Sequence, residues 1–292
     1  MKKLLLGWGV FAALALPANA ADMAVKAPAM AAYNWGGCYI GGNAGGKWGR
    51  FSNGSVDAAP STLLIPGVGL VPIASGHADL ASFDTSSVVA GGQLGCRSES
   101  ASHWVFGVEG DFDWTDLHGT STVTAVNPPF PCTAGICNGD TFTLRSRWEA
   151  SARAILGHSF DRWLVYATGG LAFTQVSMDA NFVPTLNGAI TFPGATGSES
   201  KVLTGGTVGV GAAYGLGMNW EIGAEYRYTY YPTATFNLGN PTAFCALPIV
   251  IGPGAPVCTN TPATGRASLQ TNEVVLRLNY RFDWARPFVA SN

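Results

Sequence analysis

Asn272-Glu-Val-Val-Leu-Arg-Leu-Asn-Tyr-Arg-Phe282 alternates from end to end. Val274, Leu276, Leu278, Tyr280 and Phe282 share one face of an extended chain, and Glu273, Val275, Arg277, Asn279 and Arg281 share the other. A strand has a side-chain period of two, so a greasy row stands opposite a charged row. One soluble sheet edge can carry such a pattern. Here about eight segments repeat it behind an export leader. Charges gathered inside and hydrocarbon presented outside is the arrangement that a β-barrel in lipid requires.

The leader is short. Met1-Lys2-Lys3 is positive, Leu4 to Leu16 is apolar apart from Gly7 and Gly9, and Pro17-Ala-Asn-Ala20 supplies small residues where a signal peptidase reads. Cleavage after Ala20 is expected, giving a signal peptide over 1–20. The apolar run is too short to cross about 30 Å of hydrocarbon as a permanent helix. Only 12% of the 292 residues are charged, against about 25% in soluble domains. Removing Lys2 and Lys3 from the 16 basic residues leaves 14 against 18 acids, a net charge of −4. Such a chain offers no basic patch for nucleic acid.

Residues 21–34 read as an Ala/Pro-rich periplasmic lead-in, 35–282 as the barrel and 283–292 as a short tail. Strands are expected at about 36–48, 87–97, 103–113, 143–157, 163–174, 203–214, 219–230 and 272–282. In the fourth, Trp148, Ala150, Ala152, Ala154 and Leu156 stand opposite Arg147, Glu149, Ser151 and Arg153. The gaps alternate. Ser98–Ser102, His158–Arg162 and Gly215–Met218 are short, whereas the other four connections are long and rich in Gly, Pro, Ser, Thr and Asn. Short periplasmic turns and long outer loops are the habit of outer-membrane barrels, and an even strand count returns both ends to the periplasm. The expected fold is therefore all-β, an eight-stranded antiparallel up-and-down transmembrane barrel.

Aromatic residues agree with two interfacial belts. Trp35, Trp104, Trp163, Tyr214, Trp220, Tyr280 and Phe282 fall at the short-turn end. Trp48, Phe112, Trp114, Phe142, Phe173, Tyr228, Tyr230 and Tyr231 fall at the loop end, and Trp148, mid-strand, fits neither.

Five segments carry a resemblance: Trp35-Gly-Gly-Cys-Tyr-Ile-Gly-Gly-Asn-Ala-Gly45, Gly91-Gly-Gln-Leu-Gly95, Phe106-Gly-Val-Glu-Gly-Asp-Phe112, Tyr166-Ala-Thr-Gly-Gly-Leu-Ala172 and Leu278-Asn-Tyr-Arg-Phe282. In their order and spacing the chain resembles small alphaproteobacterial outer-membrane proteins of the Omp25/Omp31 type, within the OmpA-like barrel group. The resemblance implies an eight-stranded barrel in the bacterial outer membrane and often the label porin, although channel activity is not shared across the family. Such proteins usually end on the aromatic of the last strand; here Asp283 to Asn292 follows Phe282.

The inward charges form the main chemical cluster: Arg97, Glu109, Asp111, Arg147, Glu149, Arg153, Glu221, Glu225, Arg227, Arg277 and Arg281. An eight-stranded interior is just filled by side chains, so these groups should pair across it. A salt-bridged plug is the first reading, a narrow ion path the second, and acid–base catalysis by a glutamate pair the least, because a packed lumen leaves no substrate cleft. Cys132 with Cys137 and Cys245 with Cys258 fall in outer loops reached through an oxidising periplasm, where disulfides are expected. Metal binding by the first pair is a weaker rival. Cys38 and Cys96 face outward on adjacent strands, either bonded or as free thiols.

Gly205-Gly-Thr-Val-Gly-Val-Gly211 lacks the lysine and the strand–loop–helix context of a phosphate loop, and reads as a strand lining a crowded interior. His77 and His118 in outer loops, and His103 and His158 at short turns, read as solvated, with haem or metal capture by the first two as the sharper alternative. No catalytic, metal or cofactor site is therefore expected, and no enzyme. A structural surface barrel displaying its loops is the leading function, a low-conductance porin the runner-up, and a lipid-modifying barrel using loop His and Ser residues the third. Expected partners are outer-membrane lipid and lipopolysaccharide, the outer-membrane insertion machinery and extracellular ligands of the loops.

Overall fold

A computed structural model of the chain describes residues 33–65, 69–124, 132–133, 135–187, 190–192, 194–217, 219–240, 242–246 and 257–282. The expected leader, nearly all of the lead-in and the tail after Phe282 lie outside these residues. Eight long strands carry the fold: β1 (Gly37–Ala58), β2 (Phe83–Glu99), β3 (Trp104–Thr122), β4 (Thr141–Phe160), β5 (Trp163–Phe182), β6 (Ala195–Gly217), β7 (Trp220–Asn237) and β8 (Ala263–Phe282). Each pairs antiparallel with the next, and β8 closes on β1 in a register running from Cys38 opposite Phe282 to Ala58 opposite Ala263. The ring leaves no free edge among these eight, which is what lipid demands of a sheet.

The turns at one end are tight. Asp161 and Arg162 alone separate β4 from β5, and Asp161, His103 and Asn219 adopt positive φ of 54°, 63° and 68°. Asp, Asn and His are the side chains that tolerate this left-handed geometry best after glycine. At the other end the strands run on well past the expected stops: β1 reaches Ala58 rather than Trp48, and β5 reaches Phe182 rather than Thr174.

These extensions invert the polarity of the wall. Along β5 the outward residues change from Val165, Ala167 and Leu171 to Ser177, Asp179 and Asn181. The inward residues change from Thr168 and Thr174 to Val176, Met178, Ala180 and Phe182. The lower part is thus built for lipid outside and ions inside, and the upper part for water outside and an apolar core inside. That core gathers Phe51, Phe142, Leu144, Met178, Tyr231, Phe236 and Leu269 from five strands.

Register shifts accompany the change. Between Thr174 and Val176 of β5, β4 advances from Glu149 to Ser146, three steps against two. One extra residue switches which parity faces in. Similar shifts fall at Ser52/Ser55 of β1, where Asn53 has φ 52°, and at Tyr231/Ala234 of β7.

The parity switch in β4 corrects one expected site residue. Arg147 sits in the bulge beside Trp148 and is exposed on the outer wall, not in the lumen. Trp148 also faces out, stacked on Phe112 with ring centroids 5.7 Å apart, and so joins the loop-end belt. Three belt assignments are corrected too: Phe142 and Tyr231 point into the apolar core, and Trp35 lies inside the short-turn end of the barrel.

The loops add small pieces. Gly76–Leu80 pairs with the upper part of β1, and Ser61–Ile65 forms a hairpin with Gly69–Ile73. Thr185–Asn187, Ile190–Phe192, Thr242–Ala246 and Val257–Thr261 make a separate four-stranded sheet.

Candidate functional site: the barrel lumen

The lumen is stacked in layers. Nearest the short turns, Arg97 pairs with Glu221 at 2.6 Å, and Asn279 Nδ2 donates to the same carboxylate at 2.8 Å. The Arg97 guanidinium also covers the rings of Tyr39 (4.3 Å) and Trp35 (5.3 Å). Trp35 is 0% exposed, packed against Val105, Ile155, Leu164, Tyr166 and Ala213, and its backbone N–H donates to Glu99 at 2.8 Å. Ser159 Oγ donates to Glu99 at 2.5 Å. Arg281 lies over Tyr33 at 4.7 Å. The end of the lead-in therefore folds up into the mouth of the barrel.

The middle layer crosses the lumen. Arg153 of β4 pairs with Glu109 at 2.6 Å and Asp111 at 2.8 Å on β3, and with Glu225 on β7. Arg277 of β8 pairs with Glu109 and Glu225 as well. Tyr39 and Tyr166 donate their hydroxyls to Glu109 (2.5 Å) and Glu225 (3.0 Å). Two inward glycines make room for these rings: a Cβ at Gly95 or at Gly211 would lie 2.6 Å from Tyr39 or Tyr166 respectively. The glycine-rich strand thus serves close packing.

In the upper layer Arg227 reaches Asp111 (3.2 Å), Asp113 (3.3 Å), Glu225 (3.4 Å) and Glu273 (3.4 Å). Lys47 pairs with Glu149 at 2.7 Å and Glu273 at 3.1 Å. Asn43 donates to Gln93 and Asp113, each at 2.8 Å, and Gln93 donates to Asn279 at 2.6 Å. Isolated charges are costly to bury, and shared partners offset that cost. Directly above begins the apolar core.

Ten of the eleven expected lumen charges are thus buried inside, with Arg147 outside. Lys47, Asp113 and Glu273 belong to the same network and were not among the eleven. The strand alternation already placed all three on the charged face, so the signal was present. Glu99 had no such signal, because its role depends on Trp35 folding inward.

The cysteines are brought together in three bonded pairs: Cys38–Cys96, Cys132–Cys137 and Cys245–Cys258. The first joins directly opposed residues of β1 and β2 on the outer wall. His77 lies against Asp57 (2.6 Å) and Asp79 (3.2 Å), and His118 against its own neighbour Asp116. Among the described residues, no group of three or more His, Cys, Asp and Glu is placed to hold a metal ion.

The family model for the outer membrane protein beta-barrel domain matches residues 18–282. A 31 kDa outer-membrane immunogenic protein of Brucella melitensis biotype 1 is 29% identical over 238 residues, covering 78% of this chain and 87% of its own. A 22 kDa outer membrane protein of Rhizobium leguminosarum bv. viciae is 31% identical over 91 residues, covering 31% of this chain and 36% of its own. The crystal structure of Neisserial surface protein A aligns over 84% of this chain and 97% of its own at 13% identity, with a TM-score of 0.34.

Proposed function

The chain belongs to the outer membrane protein beta-barrel domain family, and from that premise we propose that it is a sealed structural barrel that displays its loops at the cell surface. One observation carries this reading. Arg153 and Arg277 both bridge Glu109 and Glu225 from opposite walls, beneath a core of apolar side chains. An ion moving along the axis would have to break buried pairs and then cross a dry section, and both steps are unfavourable. The carboxylates that could serve as acid and base are occupied by arginines, which supports a structural rather than a catalytic role.

The runner-up is a low-conductance pore. It draws on a gap among Tyr39, Arg97, Glu109, Tyr166 and Asn279 with about 10 Å³ open to a water-sized molecule, roughly the room one water needs. Conductance of the purified protein in planar bilayers separates the two. The sealed barrel gives no steady single-channel current; reproducible unitary steps would replace it with the pore. The outward aromatic Phe282 closing β8 suits recognition by the insertion machinery, and the loops suit extracellular ligands.

A further inference from the structure

The outer wall carries a feature that the sealed lumen does not use. Where β8, β1 and β2 adjoin, a hollow of about 520 Å³ is lined by Trp48, Arg50, Asp84, Ser86, Gln270 and Asn272. Its floor has a local cause. Gly46, two residues below Trp48 on the same face, has no side chain, and a Cβ there would lie 3.3 Å from the Trp48 ring. The ring lies down along the wall, 51% exposed, and leaves the space above it open under Arg50.

The polar groups around this hollow are only partly engaged, and Arg50 is loosely paired. The closest carboxylate to Arg50 is Asp84, at 3.8 Å, beyond hydrogen-bond reach. Tyr226 donates its hydroxyl to Asn272 Oδ1 at 2.6 Å, and Asn272 lines the hollow. Below Trp48 the same wall is recessed and apolar, since Gly46, Ala44 and Gly42 face out. A second hollow of about 700 Å³ lies nearer the short-turn end, between Ile40, Ala44, Trp220, Ile222, Leu276 and Tyr280.

The position selects the occupant. The polar hollow sits at the loop-end aromatic belt, where the outside of the wall changes from apolar to polar, and this is the headgroup level of the outer leaflet. A molecule seated there needs a polar head at Arg50 and hydrocarbon beneath it. We propose that the β8–β1–β2 wall binds a phosphorylated glycolipid of the outer leaflet. Arg50 takes a phosphate through its planar pair of donors. Gln270, Asn272 and Ser86 meet sugar hydroxyls, the face of Trp48 meets a sugar ring, and the recessed strip below holds an acyl chain. A free phosphate or sugar would lack the chain, and a simple phospholipid would lack the sugar.

Equilibrium binding of the full mature protein in detergent micelles tests this with three probes: bis-phosphorylated lipid A, the same lipid dephosphorylated, and phosphatidylglycerol. Lipid A is expected to bind most tightly, with Arg50→Ala and Trp48→Ala each weakening it about tenfold, the scale of one lost charge-assisted contact. Arg266→Ala, an exposed arginine paired with Asp57 at 3.9 Å above the hollow, should leave binding unchanged. Equal affinity of wild type and Arg50→Ala for lipid A, or of wild type for lipid A and phosphatidylglycerol, would overturn the proposal. Gln270→Ala supplies the second variant should Arg50→Ala fail to fold. Heat-modifiable gel migration on the same samples keeps the barrel reading separate: retained migration with no lipid selectivity removes only the glycolipid site.

Discussion

Arg153 touches Glu109, Asp111 and Glu225 from a fully buried position, whereas Arg147, six residues earlier on the same strand, lies exposed in a bulge. Arg153→Ala takes one cation away from three buried carboxylates, which then share only Arg277 and Arg227, and should cost about 3–5 kcal/mol. Arg147→Ala should stay within about 0.5 kcal/mol. Urea unfolding of the two variants in lipid vesicles checks both, and equal losses would argue against the parity switch. Outside the membrane, His77 is a pH marker. Its hydrogen bond to Asp57 favours the imidazolium and raises its pKa above the usual value of about 6.5. The stabilisation is complete below that usual value and is lost as pH rises through the raised one. An NMR titration of His77 should show a midpoint above 6.5 that falls back in Asp57→Asn. Single residues were partly legible from sequence. Lys47, Asp113 and Glu273 followed from counting twos, but Arg147 and Trp35 did not. A bulge reverses the count, and the inward fold of Trp35 begins at Gly37, whose φ of 125° alternation cannot register.

At the scale of strands and loops, the membrane portions could be read because one polarity rule holds along each of them. The upper extensions could not, since they obey the opposite rule and meet the lower portions at bulges. Ser177 to Asn181 therefore looked like loop when it was the outer face of a strand. The loop between β3 and β4 offers a test of how such an upper region is held. Asp140 accepts the N–H groups of Cys137 at 2.7 Å and Val183 at 2.8 Å, tying the Cys132–Cys137 hairpin to the end of β5. Burial pushes its carboxyl up to about 6, against about 3.9 in an unfolded chain. The stabilisation is full below the unfolded value and declines as pH rises through about 6. Protection factors in residues 135–140, with the intrinsic pH dependence of exchange divided out, should accordingly be higher at pH 5 than at pH 7.5, and the difference should shrink in Asp140→Asn.

For the molecule as a whole, the ion-paired section and the dry section above it act in series along one axis. Opening one leaves the other shut. Arg277→Ala alone should therefore give no steady current in planar bilayers, although it removes a bridge between Glu109 and Glu225. A current from this variant would mean that the apolar section is permeable. The swap of inner and outer character seen along β5 also bears on vertical position. Sinking deeper would wet no surface that prefers water and would drag Ser177, Asp179 and Asn181 into oil; rising would expose Val165 and Leu171 to water. The molecule therefore has one resting height, and a leaflet that is too thick or too thin must stretch or compress around it.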